Sequence, residues 1–330
     1  MRIVFLNEID ELWNPYLEKL KRKFPDVEFI SSKDYQNPED YVSKADGIVC
    51  TRLDIDTLKI AEKLKIIFIP WTGVDSLPID EIKKRGTVIV SNTHGNAEMV
   101  AERALTLCLA LLGRVIEFHN NLSKGIWGDG TRKKYYDNFW VSLRNKACGI
   151  AGFGKIGKEL AKLLRVFDCK IVGFKKRSPN SEDLELATKI TTNLEEMILE
   201  SEVIFITLPL TDETEGMFDW NVLSKMKGKY LINVGRGAVI SEEALYRALK
   251  ENILGGIAID TWYHYPTVDR TVILPFSYPI HTFKNVILSP HVGSSTIEGF
   301  KGMIAETFEN IVAFLKTGKP IYQVDLKLKY

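Results

Sequence analysis

Short apolar runs alternate with helical patterns from the first residues onward. Residues 3–6, 27–30, 47–50, 66–69 and 87–90 have strand length, and 13–24 has the pattern of a helix. Residues 96–114 form one long helical pattern, apolar at Val100, Ala104, Leu107 and Leu111, with Gly113 near its end. The stretch 125–143, rich in Gly, Asp, Lys and aromatics, has no clear period and reads as a loop. A second series begins at 147–151. It continues with strand patterns at 170–174, 203–207, 230–234, 257–259 and 286–288, and a helical pattern at 296–315 closes it. Strands separated by helix-length segments predict the α/β class with parallel sheets.

At 330 residues the chain exceeds one ordinary core and suits two domains. A 45% hydrophobic and 26% charged composition is that of a globular protein. The net charge of +1 gives no sign of a nucleic-acid surface or an acidic tail. The apolar run at 3–6 is too short for a signal peptide, and the one at 104–112 is too short to span a membrane. The expected location is therefore the cytoplasm. Cys50, Cys108, Cys148 and Cys169 contain no CxxC pair and read as reduced, buried thiols, and no metal site is expected.

Gly152-Phe153-Gly154-Lys155-Ile156-Gly157 fits GxGxxG, with a strand before it (149–151) and a helix expected after it (158–167). Gly152 permits a tight turn, Gly154 lets backbone approach a pyrophosphate, and Gly157 lets helix and strand pack closely. The helix N-terminus offers unpaired N–H groups to the anion. The alternative is a purely structural glycine turn. Lys175 stands 18 positions beyond Gly157, where an NAD site carries Asp or Glu for the ribose hydroxyl. Lys175-Lys176-Arg177 instead favour a 2′-phosphate, hence NADP over NAD. Read as a plain solvated turn, these cations would leave the cofactor undecided.

Three later segments end strands and carry candidate chemistry: Asn233-Val234-Gly235-Arg236-Gly237, Ile259-Asp260-Thr261-Trp262 and Ser289-Pro290-His291-Val292-Gly293. In an open α/β sheet such ends border the ligand crevice. With these motifs the sequence resembles the D-isomer-specific 2-hydroxyacid dehydrogenase family. The likeness also takes in Gly73-Val74-Asp75, Val100-Ala101-Glu102, Gly125-Ile126-Trp127, and Leu208-Pro209-Leu210-Thr211 with Thr214.

The resemblance implies two Rossmann-like domains with the active site in their cleft. The substrate domain would be 1–97 plus 295–330, the NAD(P) domain 98–294, with two long helices linking them. It implies that Arg236 binds the substrate carboxylate and polarises the 2-oxo group. His291 would exchange the proton, and Gly73 and Val74 would bind substrate through their amides. The fingerprint, Lys175, Lys176, Arg177, Leu208, Pro209, Thr214, Val234, Gly235, Asp260 and Gly293 would hold the cofactor, Asp260 through the nicotinamide carboxamide.

One position departs from the family. Tyr265 stands where its members carry the Glu that pairs with the histidine and favours imidazolium. A neutral tyrosine supplies no charge, so the expectation is a lower His291 pKa. Formate dehydrogenases similar to this family use a neutral Gln there. A shifted local alignment would instead bring Asp269 into the role.

The reading favoured is an oxidoreductase that reduces glyoxylate, hydroxypyruvate or pyruvate-like acids to the D-2-hydroxy acid. The alternatives are a formate-dehydrogenase-like enzyme and an NAD(P)-sensing binding protein similar to the family's corepressors. Trp71, Trp262, Tyr263 and Tyr265 would line a larger pocket or else serve packing. The family implies a homodimer, made through 125–143 and the long helix before it.

Overall fold

In the computed structural model, which describes residues 1–34, 37–127 and 139–330, the apolar runs become strands. The chain forms two units, Met1–Asn96 with Ser295–Tyr330, and Ala97–Ser294.

The first unit holds β1 (Arg2–Phe5), β2 (Glu28–Ile30), β3 (Gly47–Val49), β4 (Ile66–Phe68) and β5 (Ile89–Ser91). They pair in the order β2-β1-β3-β4-β5, every pair parallel. Its helices are α1 (Asn14–Lys23), α2 (Glu39–Val42), α3 (Ile55–Ile60), α4 (Ile79–Arg85) and the closing helix Ile297–Thr317. Side chains alternate across a strand, and β1 shows the consequence. Ile3 and Phe5 join one core with Leu17 and Leu20 of α1 and Ile304, Ile311 and Phe314 of the closing helix. Val4 joins another with Leu58 of α3 and Ile82 of α4. Both faces are thus covered, which is why these strands read as continuous apolar runs.

The second unit opens with α5 (Ala97–Leu112) and α6 (Val115–Leu122). Its strands are β6 (Ala147–Ala151), β7 (Lys170–Phe174), β8 (Lys189–Thr191), β9 (Val203–Ile206), β10 (Tyr230–Asn233), β11 (Gly256–Ile259) and β12 (Val286–Leu288). They pair in the order β12-β11-β10-β9-β6-β7-β8, all parallel. The helices between them are α7 (Lys155–Arg165), α8 (Ser181–Leu186), α9 (Leu194–Leu199), α10 (Trp220–Leu223) and α11 (Glu242–Lys250). Val203 and Phe205 of β9 pack in one core with α5 and α7, while Ile204 and Ile206 pack in the other with α9 and α11. Among the described residues no helix is long and apolar enough to cross a membrane.

Three expectations are adjusted. The helix after the glycine motif starts at Lys155, three residues earlier than the motif suggests, because Gly157 lies inside its first turn. The long helix stops at Leu112, where Arg114 takes a left-handed φ of 52° and a separate helix follows. Strand β8 was not foreseen, as Lys189-Ile190-Thr191 has only one large apolar residue. Of the expected loop 125–143, residues 128–138 lie outside the described residues.

Candidate active site

All seven strands of the second unit run the same way, so their carboxyl ends share one edge. The strand order reverses between β6 and β9, and the glycine motif sits there, at the topological switch point. Gly152 has φ +101°, and a Cβ on it would lie 2.9 Å from the Leu208 nitrogen. Only glycine fits there. A Cβ on Gly157 would lie 2.5 Å from the Gly152 oxygen, so α7 packs directly on the turn that precedes it. At Gly154, by contrast, a Cβ would meet nothing within 4 Å. Gly154 is the N-cap of α7, and no side chain caps that end. An uncapped helix end with a partial positive charge and room beside its N-cap suits a dinucleotide pyrophosphate. Thr207, at the end of β9, donates its hydroxyl to the Gly152 oxygen at 2.5 Å and steadies the turn.

The basic turn after β7 is less free than its sequence suggests. The Lys175 ammonium is hydrogen-bonded to Asp183, whose side chain is fully buried. Lys158 of α7 reaches the same carboxylate at 3.0 Å. Burial pushes the Asp183 carboxyl up, but hydrogen bonds from Lys175, the Asn180 amide and Lys158 outweigh it and hold the group below the usual carboxylate range. Lys176 pairs with Glu213 on the surface at 2.5 Å, and Arg177 is exposed.

The histidine turn is the most tightly organised part of the edge. Asp260, 2% exposed, follows β11. Its carboxylate accepts the Val292 amide at 3.1 Å and the Gly293 amide at 2.9 Å, and it also accepts the Ser289 hydroxyl. Those amides directly follow His291, a non-glycine residue at φ +56°. That conformation costs about 1–2 kcal/mol, which the charge-assisted bonds to Asp260 offset. Trp262 is buried and donates its indole N–H to the Ser289 carbonyl at 2.7 Å. The Tyr265 hydroxyl accepts the Trp262 amide at 3.0 Å, and its ring centroid lies 5.4 Å from that of His291.

Arg236 follows β10 and is partly buried. Buried Asn233 shapes its loop, donating to the Arg236 carbonyl at 2.9 Å and accepting the Gly235 amide at 3.1 Å. A Cβ on Gly235 would strike the Leu208 carbonyl at 2.5 Å, and one on Gly237 the Trp262 carbonyl carbon at 2.4 Å. Gly152, Leu208, Gly235, Arg236, Trp262 and His291 therefore lie on adjoining loops. One strand, β11, separates the strand bearing Arg236 from the strand bearing His291, so the two loops leave the sheet about 10 Å apart.

Residues 105–293 match the model of the D-isomer specific 2-hydroxyacid dehydrogenase NAD binding domain. The chain belongs to the D-isomer-specific 2-hydroxyacid dehydrogenase family. It is 32% identical over 282 residues to a glyoxylate reductase of Thermofilum pendens, covering 83% of this chain and 80% of that one. A glyoxylate reductase of Thermococcus litoralis is 34% identical over 273 residues, covering 82% and 79%. A solved structure of a Pyrococcus horikoshii protein superposes with a TM-score of 0.82 at 26% identity, covering 98% of this chain and 95% of that one.

Within this dehydrogenase the remaining candidates fall as follows. Pro209 and Thr214 form a turn after β9, in which the Thr214 hydroxyl donates to the Pro209 carbonyl at 2.6 Å. Gly73 and buried Val74 lie beyond β4 in the first unit. Their loop is held by Asn92, which donates to the Thr72 carbonyl at 2.7 Å, and by Thr72, which donates to Asn96 at 2.9 Å. Asp269 sits in an exposed turn closed by backbone bonds between Thr267 and Arg270. Of the four aromatics, Trp71 stands edge-on to Phe300 at 5.7 Å, and Trp262 tilts against Phe276 at 5.7 Å.

Asp183 and Arg103 went unnoticed in the sequence. Arg103 donates to the Ser289 hydroxyl at 2.7 Å. Its signal was a cation three residues after Val100 and four before Leu107, on the flank of an apolar helical stripe.

Proposed function

We propose that this dehydrogenase reduces a small 2-oxo acid of the glyoxylate, hydroxypyruvate or pyruvate class to the D-2-hydroxy acid, with NADPH preferred over NADH. The observation that carries this reading is one sheet edge bearing the glycine motif at its switch point, Arg236 on one loop, and the clamped His291 turn two strands away. The reduced nicotinamide supplies the hydride. Arg236 pairs its planar guanidinium with the substrate carboxylate and polarises the 2-oxo group. His291, as imidazolium, gives its proton to the carbonyl oxygen as that oxygen gains charge. Asp260 would hold the nicotinamide by accepting a hydrogen bond from its carboxamide N–H. Glyoxylate reductases among the relatives support the substrate class.

NADPH preference rests on charge. No carboxylate stands at position 175 to repel a 2′-phosphate. With Lys175 committed to Asp183, exposed Arg177 and Lys176 are the cations nearest that place in the sequence. The working unit is a homodimer. No residue of α6 is buried, and Val115, Ile116 and Leu122 are each at least half exposed, an apolar surface that a second copy would cover.

The test follows reduced-nicotinamide absorbance with NADPH or NADH and each of the three acids. Turnover is expected with at least one acid, with kcat/KM about tenfold or more in favour of NADPH. Tight cofactor binding with no turnover of any acid would make the protein a sensor, and NADP reduction by formate would assign it the other chemistry.

A further inference from the structure

Arg103 has no part in the roles above, yet it is bound into the histidine turn. It lies on α5, partly buried, and its guanidinium donates to the Ser289 hydroxyl at 2.7 Å through Nη2 and 3.3 Å through Nε. Ser289 is 2% exposed, and its hydroxyl proton goes to Oδ1 of Asp260. The same Oδ1 accepts the Val292 amide, and Oδ2 accepts the Gly293 amide. The Arg103 stem closes the other side, because a Cβ on Gly293 would lie 3.7 Å from its Cγ and 2.9 Å from Oδ2 of Asp260.

A serine hydroxyl has one proton to give and can accept from others. While Arg103 fills its acceptor side, that proton has one direction left, toward Asp260. A carboxylate has about four acceptor positions. Ser289, Val292 and Gly293 occupy three, both on Oδ1 and one on Oδ2. One remains, on Oδ2, beside a glycine with no side chain to cover it.

We infer that Arg103 is a positioning residue, acting through Ser289 to fix the Asp260 carboxylate, so that three of its acceptor positions hold the left-handed His291 turn and the fourth faces the nicotinamide carboxamide. Arg103 touches neither reactant in this scheme. Its effect reaches the reaction through where His291 points. The inference rests on the proposed reductase reading.

The test compares Arg103→Met, Arg103→Lys and Ser289→Ala with the wild type. Hydrogen exchange of the Val292 and Gly293 amides, which needs no turnover, is read first. Protection of both is expected to fall at least tenfold in Arg103→Met and Ser289→Ala, and less in Arg103→Lys, whose single ammonium still reaches the hydroxyl. For the active acid, kcat should fall about 10- to 100-fold, the loss expected of a proton donor displaced by about an ångström. KM should change less than threefold, because Arg236 is untouched. Wild-type protection of both amides in Arg103→Met and Ser289→Ala overturns the inference. So does a lowered melting temperature with wild-type kcat, which would make the contact structural only. Should the wild type itself turn over no 2-oxo acid, the reductase reading fails, while the exchange data still decide whether the relay holds the turn.

Discussion

Single atoms decide much at the residue scale. The three motif glycines look alike in sequence, but the space around them differs. Gly157→Ala pushes a methyl into the Gly152 carbonyl, 2.5 Å away, and should cost about 1–3 kcal/mol in urea unfolding. Gly154→Ala meets no protein atom within 4 Å. It should unfold like the wild type while binding NADPH at least tenfold more weakly by fluorescence titration. If both variants bind and unfold normally, the motif is only a turn. Tyr265 carries a second prediction. Its ring lies 5.4 Å from that of His291, and Tyr265→Glu adds a negative charge at that distance. A neighbouring carboxylate favours imidazolium, and reduction needs imidazolium. The alkaline fall of kcat/KM should therefore move up by about one pH unit, and an unmoved profile would dissociate Tyr265 from the proton transfer. The motif glycines, Arg236, His291 and Asp260 were legible because spacing and strand-end position mark them. Asp183 was not, since its partners Lys158 and Lys175 lie 25 and 8 positions away and meet only once α7, β7 and α8 have packed.

At the scale of elements, Asp183 joins three of them. It heads α8 in a capping box with Asn180 and pins α7 and the end of β7 through the two lysines. Its carboxyl lies below its ordinary value in the folded chain. The sign follows: its stabilising contribution is complete above the unfolded pKa of 3.8 and is lost as pH falls through the lower folded value. Asp183→Asn should destabilise the second unit by about 1–3 kcal/mol at neutral pH, because it removes the carboxylate that holds Lys175 and leaves Lys158 with Glu182 alone. The deficit should shrink in strongly acid solution, as urea melts at both pH values would show. Equal deficits at both would contradict the assignment. Most strands and the long helices could be read from the chain because sheets covered on both faces impose apolar runs. Short α8, α9 and α10, of 6, 6 and 4 residues, could not, because they complete too few turns to display a period.

For the whole molecule, the proposed dimer rests on the exposed apolar face of α6. Ile116→Lys should give a sedimentation coefficient of a monomer and an unchanged far-ultraviolet spectrum, whereas the wild type should sediment as a dimer. A wild-type monomer at micromolar concentration would remove that reading. The order of the two units along the chain has its own consequence. The sheet of the first unit is complete by Ser91, but Ile304, Ile311 and Phe314, which cover Phe5 and Phe68, arrive only with the closing helix. During synthesis the whole second unit emerges while that apolar face has only α1 and the residues before it as cover. The nascent protein must therefore carry a half-built core through the making of about two hundred residues, a window in which a chaperone or an early stop codon would decide its fate.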